Sequence, residues 1–279
     1  VRDGTIQKRI SRGLPLLLLL QLTVAPLYAC EAYKSAIVID ADSGRVLLHD
    51  CPDVSSDPAS MVKMMLVLIA LEDVAAGTAS LDSIYTVTAA ASRIGGHQVY
   101  LKQGEQFPLA ELLKAVMIGS ANDAAYAVAE HLSGSEAAFV ERMNRRAAAL
   151  GMKATRFYNS HGLPTSGGKP RNRTTAHDMA RLARRLIDHP LAMTWATTRL
   201  DTFRNGTFDL LNTNHRFLRN YEGAQGLKTG YHPRGAGFSM AAVAKRANRR
   251  LIAVMLGAES SRSRLQSIKI VLDRGFANR

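Results

Sequence analysis

The segment that decides the fold runs from Pro58 to Gly77, PASMVKMMLVLIALEDVAAG. Pro58 breaks the preceding chain and no further Pro or Gly occurs before Gly77, so a helix starting near Ser60 is expected. Its apolar residues surround most of the circumference, which places the helix inside the protein and not on its surface. Ser60 and Lys63 stand three residues apart, so a hydroxyl and an amine share one face at the amino end. Unpaired backbone N–H groups and the helix dipole favour negative charge there. A serine becomes a useful nucleophile only beside a base, and Lys63 is a base only when neutral; a buried, cation-crowded setting lowers its pKa. Taken alone, Ser-x-x-Lys is better explained as a helix cap with a snorkelling lysine.

Upstream, SAIVIDA (35–41) and RVLLHD (45–50) flank Asp42-Ser43-Gly44, a hairpin pattern. Downstream, helices are expected over 109–118, 123–132, 135–150 and 175–188, the third closing at Gly151. Residues 158–174, rich in Gly, Pro, Asn and Ser, read as loop. Strands are expected over 203–210, 226–231, 237–244 and 251–256, with a tight turn in RANRR (246–250) and a closing helix over 266–272. Strands at both ends with helices between predict one mixed α+β domain whose sheet joins the two ends.

Two further motifs follow Ser60 and Lys63. Ser120-Ala121-Asn122 lies at the break between two helices, where a hydroxyl and an amide can be aimed at a neighbouring element. By itself it is better read as a cap for the helix starting near Asp123. Lys228-Thr229-Gly230 falls in a strand; Gly230 would let a substrate backbone come close, and Lys228 and Thr229 could bind a carboxylate. By itself this is an exposed strand lysine before a turn. The conjunction changes the reading. S-x-x-K, S-x-N and K-T-G, in that order and 60 and 108 residues apart, form the signature of penicillin-binding proteins and serine β-lactamases.

From Ala32 to Phe276 the chain resembles the serine D-alanyl-D-alanine carboxypeptidases, the low-molecular-weight penicillin-binding proteins of peptidase family S11. The resemblance includes SAIVIDADSGRVLLHDCPD, PASMVKMM, LKQGEQFPLAELLKAVMIGSANDAA, FYNSHGLP, TTAHDMARLA and GLKTGYHPRGAGFSMAAVAKRANRRLIAVMLGA. It implies the β-lactamase/penicillin-binding transpeptidase-like fold, an antiparallel sheet flanked by helices with a helical subdomain. It also implies Ser60 as acyl-enzyme nucleophile, Lys63 as its base, Ser120 as proton relay and Asn122 as holder of Lys63 and of the substrate amide. Lys228 and Thr229 would bind the terminal carboxylate, and the N–H groups of Ser60 and of Tyr231, just after Gly230, would form the oxyanion hole. The implied partners are peptidoglycan stem peptides ending in D-Ala-D-Ala, and β-lactams that acylate the same serine. No metal or other cofactor is expected, and His161, inside a loop that resembles a structural family segment, is not read as the base. Met61-Val62 stands where the family often has Leu-Thr, and Ser160 where it usually has Pro; both read as packing differences.

The 279 residues carry 36 Lys and Arg against 23 Asp and Glu, a net charge of +13, which makes nucleic acid the first partner to consider. The basic residues are scattered without interleaved aromatics, so nucleic-acid binding is not expected and anionic wall polymers or lipid head groups fit better. Residues 1–29 read as an export signal: Arg2, Lys8, Arg9 and Arg12 precede the uncharged run GLPLLLLLQLTVAPLYAC (13–30), short for a membrane span and interrupted by Pro15, Gln21 and Pro26. Its removal leaves a body of about 249 residues at about +10, expected in the periplasm or on the outer face of a bacterial membrane. Cys30 is open to lipidation, to a disulfide with Cys51, or to neither. Residues 30–279 are expected to be one catalytic domain acting as a monomer, without a C-terminal β-rich domain, so that any membrane attachment is N-terminal. A D-alanyl endopeptidase would use the same residues. A β-lactamase would need a further glutamate loop that is not evident, and a non-catalytic wall-binding protein would not need Ser60, Lys63 and Lys228.

Overall fold

The computed structural model describes residue 1 and residues 32–165, 167 and 170–278. The expected export segment and Cys30 lie outside these residues; Cys51 is exposed. The hairpin forms as expected from β1 (Ser35–Asp40) and β2 (Val46–Asp50). A 3-10 turn (Ala59–Val62) then leads into α1 (Lys63–Ala75). The helical half follows: β3 (Ile84–Thr86), α2 (Ala89–Ser92), β4 (Gln106–Pro108), α3 (Leu109–Lys114), a π-helical turn (Ala115–Gly119), α4 (Asn122–Ser133) and α5 (Glu136–Ala149). After the long loop come α6 (Ala176–Leu186), α7 (Pro190–Thr197), β5 (Leu200–Phe203), β6 (Phe208–Leu211) and α8 (His215–Asn220). The chain closes with β7 (Ala224–His232), β8 (Gly237–Arg246), β9 (Arg249–Ala258) and α9 (Ser261–Ala277).

The main sheet is antiparallel in the order β2-β1-β9-β8-β7, so the first and last strands meet: Ala36 pairs with Met255 and Asp40 with Leu251. Both faces are covered. Ile252, Val254 and Leu256 of β9 face the larger core around α1, while Leu251, Ala253 and Met255 face a second core closed by Ile268 and Leu272 of α9. Burial on both faces is why these strands read as continuous apolar runs instead of alternating ones. Lys63 through Leu71 of α1 are all buried, as its all-round apolar surface requires.

Three local differences from the sequence reading have physical causes. The strand expected over 203–210 is a hairpin, because Arg204, Asn205 and Gly206 take positive φ (53°, 52° and 89°) and reverse the chain between β5 and β6. The closing helix starts earlier than residue 266, because Ser260 and Ser263 form a reciprocal capping box. The short helices α7 and α8 were not anticipated, being only 8 and 6 residues long. Among the described residues no helix is long and apolar enough to cross a membrane. The architecture is α+β, an antiparallel sheet flanked by helices, with the active-site candidates at its β7 edge.

Candidate active site

Ser60 sits in the 3-10 turn, one residue after Ala59, whose backbone is left-handed at φ 44°. That turn is held from two sides. Asp57 Oδ1 accepts the Ala59 N–H at 2.9 Å, and Gly162 packs directly on the Ala59 carbonyl, where any Cβ would overlap it. Ser60 opens into a cleft of about 290 Å³ that Ser120, Asn122, Thr229 and Tyr231 also line.

Lys63 Nζ has three neighbours: Asn122 Oδ1 at 2.7 Å, the His161 carbonyl oxygen at 2.5 Å and Ser60 Oγ at 3.0 Å. The first two can only accept, and the Asn122 amide is oriented by its Nδ2 donating to the Gly95 carbonyl. A neutral amine has two N–H donors and one lone pair. As the ammonium, Lys63 donates to all three oxygens; in the neutral form, with two donors on Asn122 and His161, its lone pair would be left for the Ser60 hydroxyl. The surroundings favour that neutral form: complete burial, and then the nearby Lys228, hold the Lys63 amine well below the ordinary lysine value, against a smaller opposing pull from Asp123. A snorkelling lysine is therefore ruled out, since Lys63 is 0% exposed.

Ser120 follows the π-helical turn in a left-handed conformation, φ 62° and ψ 28°. It does not cap α4; the N-cap is Ala121, with no side-chain capping bond. Instead Ser120 Oγ accepts from Lys228 Nζ at 2.7 Å. Lys228 is not an exposed strand lysine. It is fully buried behind Ser120, and burial together with the Arg264 charge lowers its pKa to about 7. Thr229 and Tyr231 face the cleft, so a carboxylate there meets the Thr229 hydroxyl directly and the Lys228 charge from behind. Gly230 meets a further constraint that the strand pattern does not show. Although it lines the cleft, a Cβ at this position would stand 2.5 Å from the Pro58 carbonyl oxygen. The missing side chain makes room for the turn that carries Ser60.

Several residues enter that the motifs did not announce. His161 contributes its carbonyl. Its ring Nδ1 accepts the Leu163 N–H at 3.1 Å and its Nε2 lies 3.6 Å from Glu136 Oε1; burial, then repulsion from the cationic form of Lys63, lowers its pKa to about 3, so the imidazole is neutral. Asn159 and Asn172 stabilise that loop, Asn172 Nδ2 donating to Asn159 Oδ1 at 2.9 Å. Asp123, fully buried, accepts from the N–H groups of Val99 and Leu101 and so fixes the opposite wall, where the His97 carbonyl takes the Asn122 N–H. Asp57 and His232 meet at 2.9 Å below the cleft. Asp57, Asp123 and His232 lie within three residues of a motif, whereas Asn159, His161 and Asn172 belong to the 158–174 loop, far from all three motifs in sequence.

A larger cavity, about 790 Å³, lies by β1 and α6, at the other side of the sheet from β7. Its arginines are mostly committed: Arg181 to Asp178, Arg185 to Glu72 and Asp188, and Arg184 to the carbonyls of Ala41 and Asp42. Volume alone therefore does not make it the reactive site. Among the described residues no group of three His, Cys, Asp or Glu could hold a metal ion.

The sequence profile of Peptidase_S11, described as D-alanyl-D-alanine carboxypeptidase, matches residues 23–260. The D-alanyl-D-alanine carboxypeptidase DacF of Bacillus subtilis is 37% identical over 247 residues, 88% of this chain and 62% of that protein. DacB2 of Mycobacterium tuberculosis is 31% identical, over 86% of this chain and 81% of its own length. Among solved structures, penicillin-binding protein 5 of Haemophilus influenzae has a TM-score of 0.82 at 30% identity, covering 88% of this chain and 71% of that one. Penicillin-binding protein D2 of Listeria monocytogenes, in its ampicillin-bound form, has a TM-score of 0.79 at 28% identity, covering 88% and 97%. The chain spans about three fifths of the length of several curated relatives, DacF and the Escherichia coli DacC and DacA among them.

Proposed function

Because the chain belongs to the Peptidase_S11 family of D-alanyl-D-alanine carboxypeptidases, we propose that it removes the terminal D-alanine from peptidoglycan stem peptides through an acyl-enzyme on Ser60. The observation that carries this reading is a fully buried Lys63 whose Nζ stands 3.0 Å from the Ser60 hydroxyl, with burial and the nearby Lys228 both favouring its neutral form. Ser60 Oγ attacks the carbonyl between the two D-alanines and its proton passes to Lys63 Nζ. The oxyanion is held by the backbone N–H groups of Ser60 and Tyr231. As the C–N bond breaks, a proton from Lys63 reaches the leaving amine through Ser120, and D-alanine departs. Water then attacks the ester, again losing a proton to Lys63, and Ser60 recovers its hydroxyl. Thr229 and the charge of Lys228 hold the terminal carboxylate, while Asn122 orients Lys63 and the substrate amide. β-Lactams acylate the same serine. The site of action is outside the cytoplasmic membrane, where stem peptides are exposed.

The test is acylation by a fluorescent penicillin, with Ser60→Ala as control, followed by D-alanine release from a pentapeptide. A covalent label on Ser60 together with released D-alanine supports the reading. Properly folded protein without label refutes the acyl-enzyme. Label with cleavage of cross-linked dimers but no release from the pentapeptide assigns the same site to an endopeptidase.

A further inference from the structure

His232 ends β7, two residues beyond Gly230, and faces the turn that carries Ser60. Its Nε2 stands 2.9 Å from Asp57 Oδ2, and its Nδ1 accepts the Arg234 N–H at 3.2 Å. A ring nitrogen that accepts from a backbone N–H carries no proton, so the ring proton is on Nε2 and is donated to the carboxylate. Asp57 has a second commitment, because its Oδ1 accepts the N–H of Ala59 at 2.9 Å. Both side chains are largely buried, 7% and 14% exposed, so water competes little for these bonds. One continuous series of hydrogen bonds therefore runs from the β7–β8 turn, through imidazole and carboxylate, to the residue before the nucleophile. Neither residue belongs to the three motifs, and the reaction sequence above uses neither.

The series passes beside both halves of the proposed oxyanion hole. Tyr231 immediately precedes His232, and Ser60 immediately follows Ala59. The contact of Gly230 with the Pro58 carbonyl sets how near the strand and the turn can come. The His232–Asp57 bond opposes their separation. We propose that His232 and Asp57 are a positioning pair that fixes the gap between the Ser60 and Tyr231 N–H donors; the role rests on the acyl-enzyme reading. A pair that merely held the fold together would lower stability and leave turnover per folded molecule intact. A pair that sets oxyanion geometry lowers kcat and leaves KM, because Thr229 and Lys228 bind the ground-state carboxylate elsewhere in the cleft.

The experiment compares the wild-type chain with Ser60→Ala, His232→Ala, His232→Gln, His232→Asn, Asp57→Asn and the double variant Asp57→Asn/His232→Ala. Penicillin acylation rates, kcat and KM for D-alanine release, and thermal melts are measured on each. The expected result for His232→Ala is a fall of roughly 10- to 100-fold in acylation and kcat, with KM unchanged, since displacement by about 1 Å costs on that order. Glutamine, whose amide N–H reaches as far as Nε2, restores most of the rate; asparagine, whose N–H stops short, does not. The double variant is no slower than the worse single variant. Wild-type rates in folded His232→Ala, or equal impairment by glutamine and asparagine, overturn the pair. The Gln and Asn comparison carries the test if His232→Ala does not fold. Absence of wild-type acylation rejects the acyl-enzyme itself, and the pair's role with it.

Discussion

Replacing Gly230 by alanine tests how closely β7 and the turn that carries Ser60 are matched. The added Cβ would lie 2.5 Å from the Pro58 carbonyl oxygen, with Met61 Cγ at 3.2 Å and the Ala59 Cβ at 3.3 Å. Ordinary contact begins near 3.4 Å, so strand and turn must part by about 0.9 Å. The neighbour that must give way is backbone, not the end of a flexible side chain, so the displacement passes directly into the spacing of Ser60 and Tyr231. A shift of about 1 Å in such a site costs on the order of 100-fold in rate, equivalent to about 2.7 kcal/mol of transition-state stabilisation. Overpacking of this kind lowers stability by about 1–3 kcal/mol, so enough folded protein remains to assay. Stopped-flow acylation by a fluorescent penicillin, normalised to the folded fraction from a urea titration, gives the rate per native molecule. Gly230→Ala acylated as fast as wild type, with an unchanged urea midpoint, would refute the argument that β7 and the Ser60 turn are in rigid contact.

Three other outcomes follow from the same geometry. Asn122→Asp puts a carboxylate against Lys63 in place of a neutral acceptor, favouring the ammonium; the acidic limb of the acylation pH profile should move to higher pH, and an unmoved limb would separate Lys63 from the base role. Lys228 has a pKa of about 7 in the fold against an ordinary value of 10.5, so folding disfavours its protonated form, fully below about pH 7 and not at all above 10.5. Lys228→Met should accordingly raise the melting temperature most near pH 6, with the gain shrinking toward pH 10, while acylation falls; a pH-independent gain would contradict this linkage. Asp123→Ala strands the N–H groups of Val99 and Leu101 in a buried wall, at about 1–3 kcal/mol each. Urea titration checks that loss, which should exceed the effect of removing the exposed Asp82 carboxylate.

Much of the fold was legible because local patterns and tertiary placement agree. The β1–β2 hairpin carries its turn in Asp42-Ser43-Gly44, and α1 is apolar all round because it is buried all round. Contacts between distant segments left less trace. Gly230, between Lys228 and Tyr231, lines the cleft and also accommodates Pro58 from 172 residues earlier in the chain, a contact that no local pattern shows. Asn205-Gly206 between Phe203 and Phe208 is itself a hairpin signal that a single strand over 203–210 overlooks, and the pairing of the two phenylalanines bears it out.

The sequence by itself determined which groups could react. Ser60 and Lys63 are three residues apart, and one helical turn brings hydroxyl and amine together whatever else the chain does. It also determined the α+β order and the buried character of α1. Their state was decided only by the tertiary structure. Burial strips Lys63 of solvent and Lys228 adds repulsion, both lowering its pKa; Asn122 and the His161 carbonyl, 59 and 98 residues away, take two of its donors and leave Ser60 as its third neighbour. Charge state and lone-pair direction depend on neighbours in space, and sequence spacing records neighbours only within a helical turn or a strand pair.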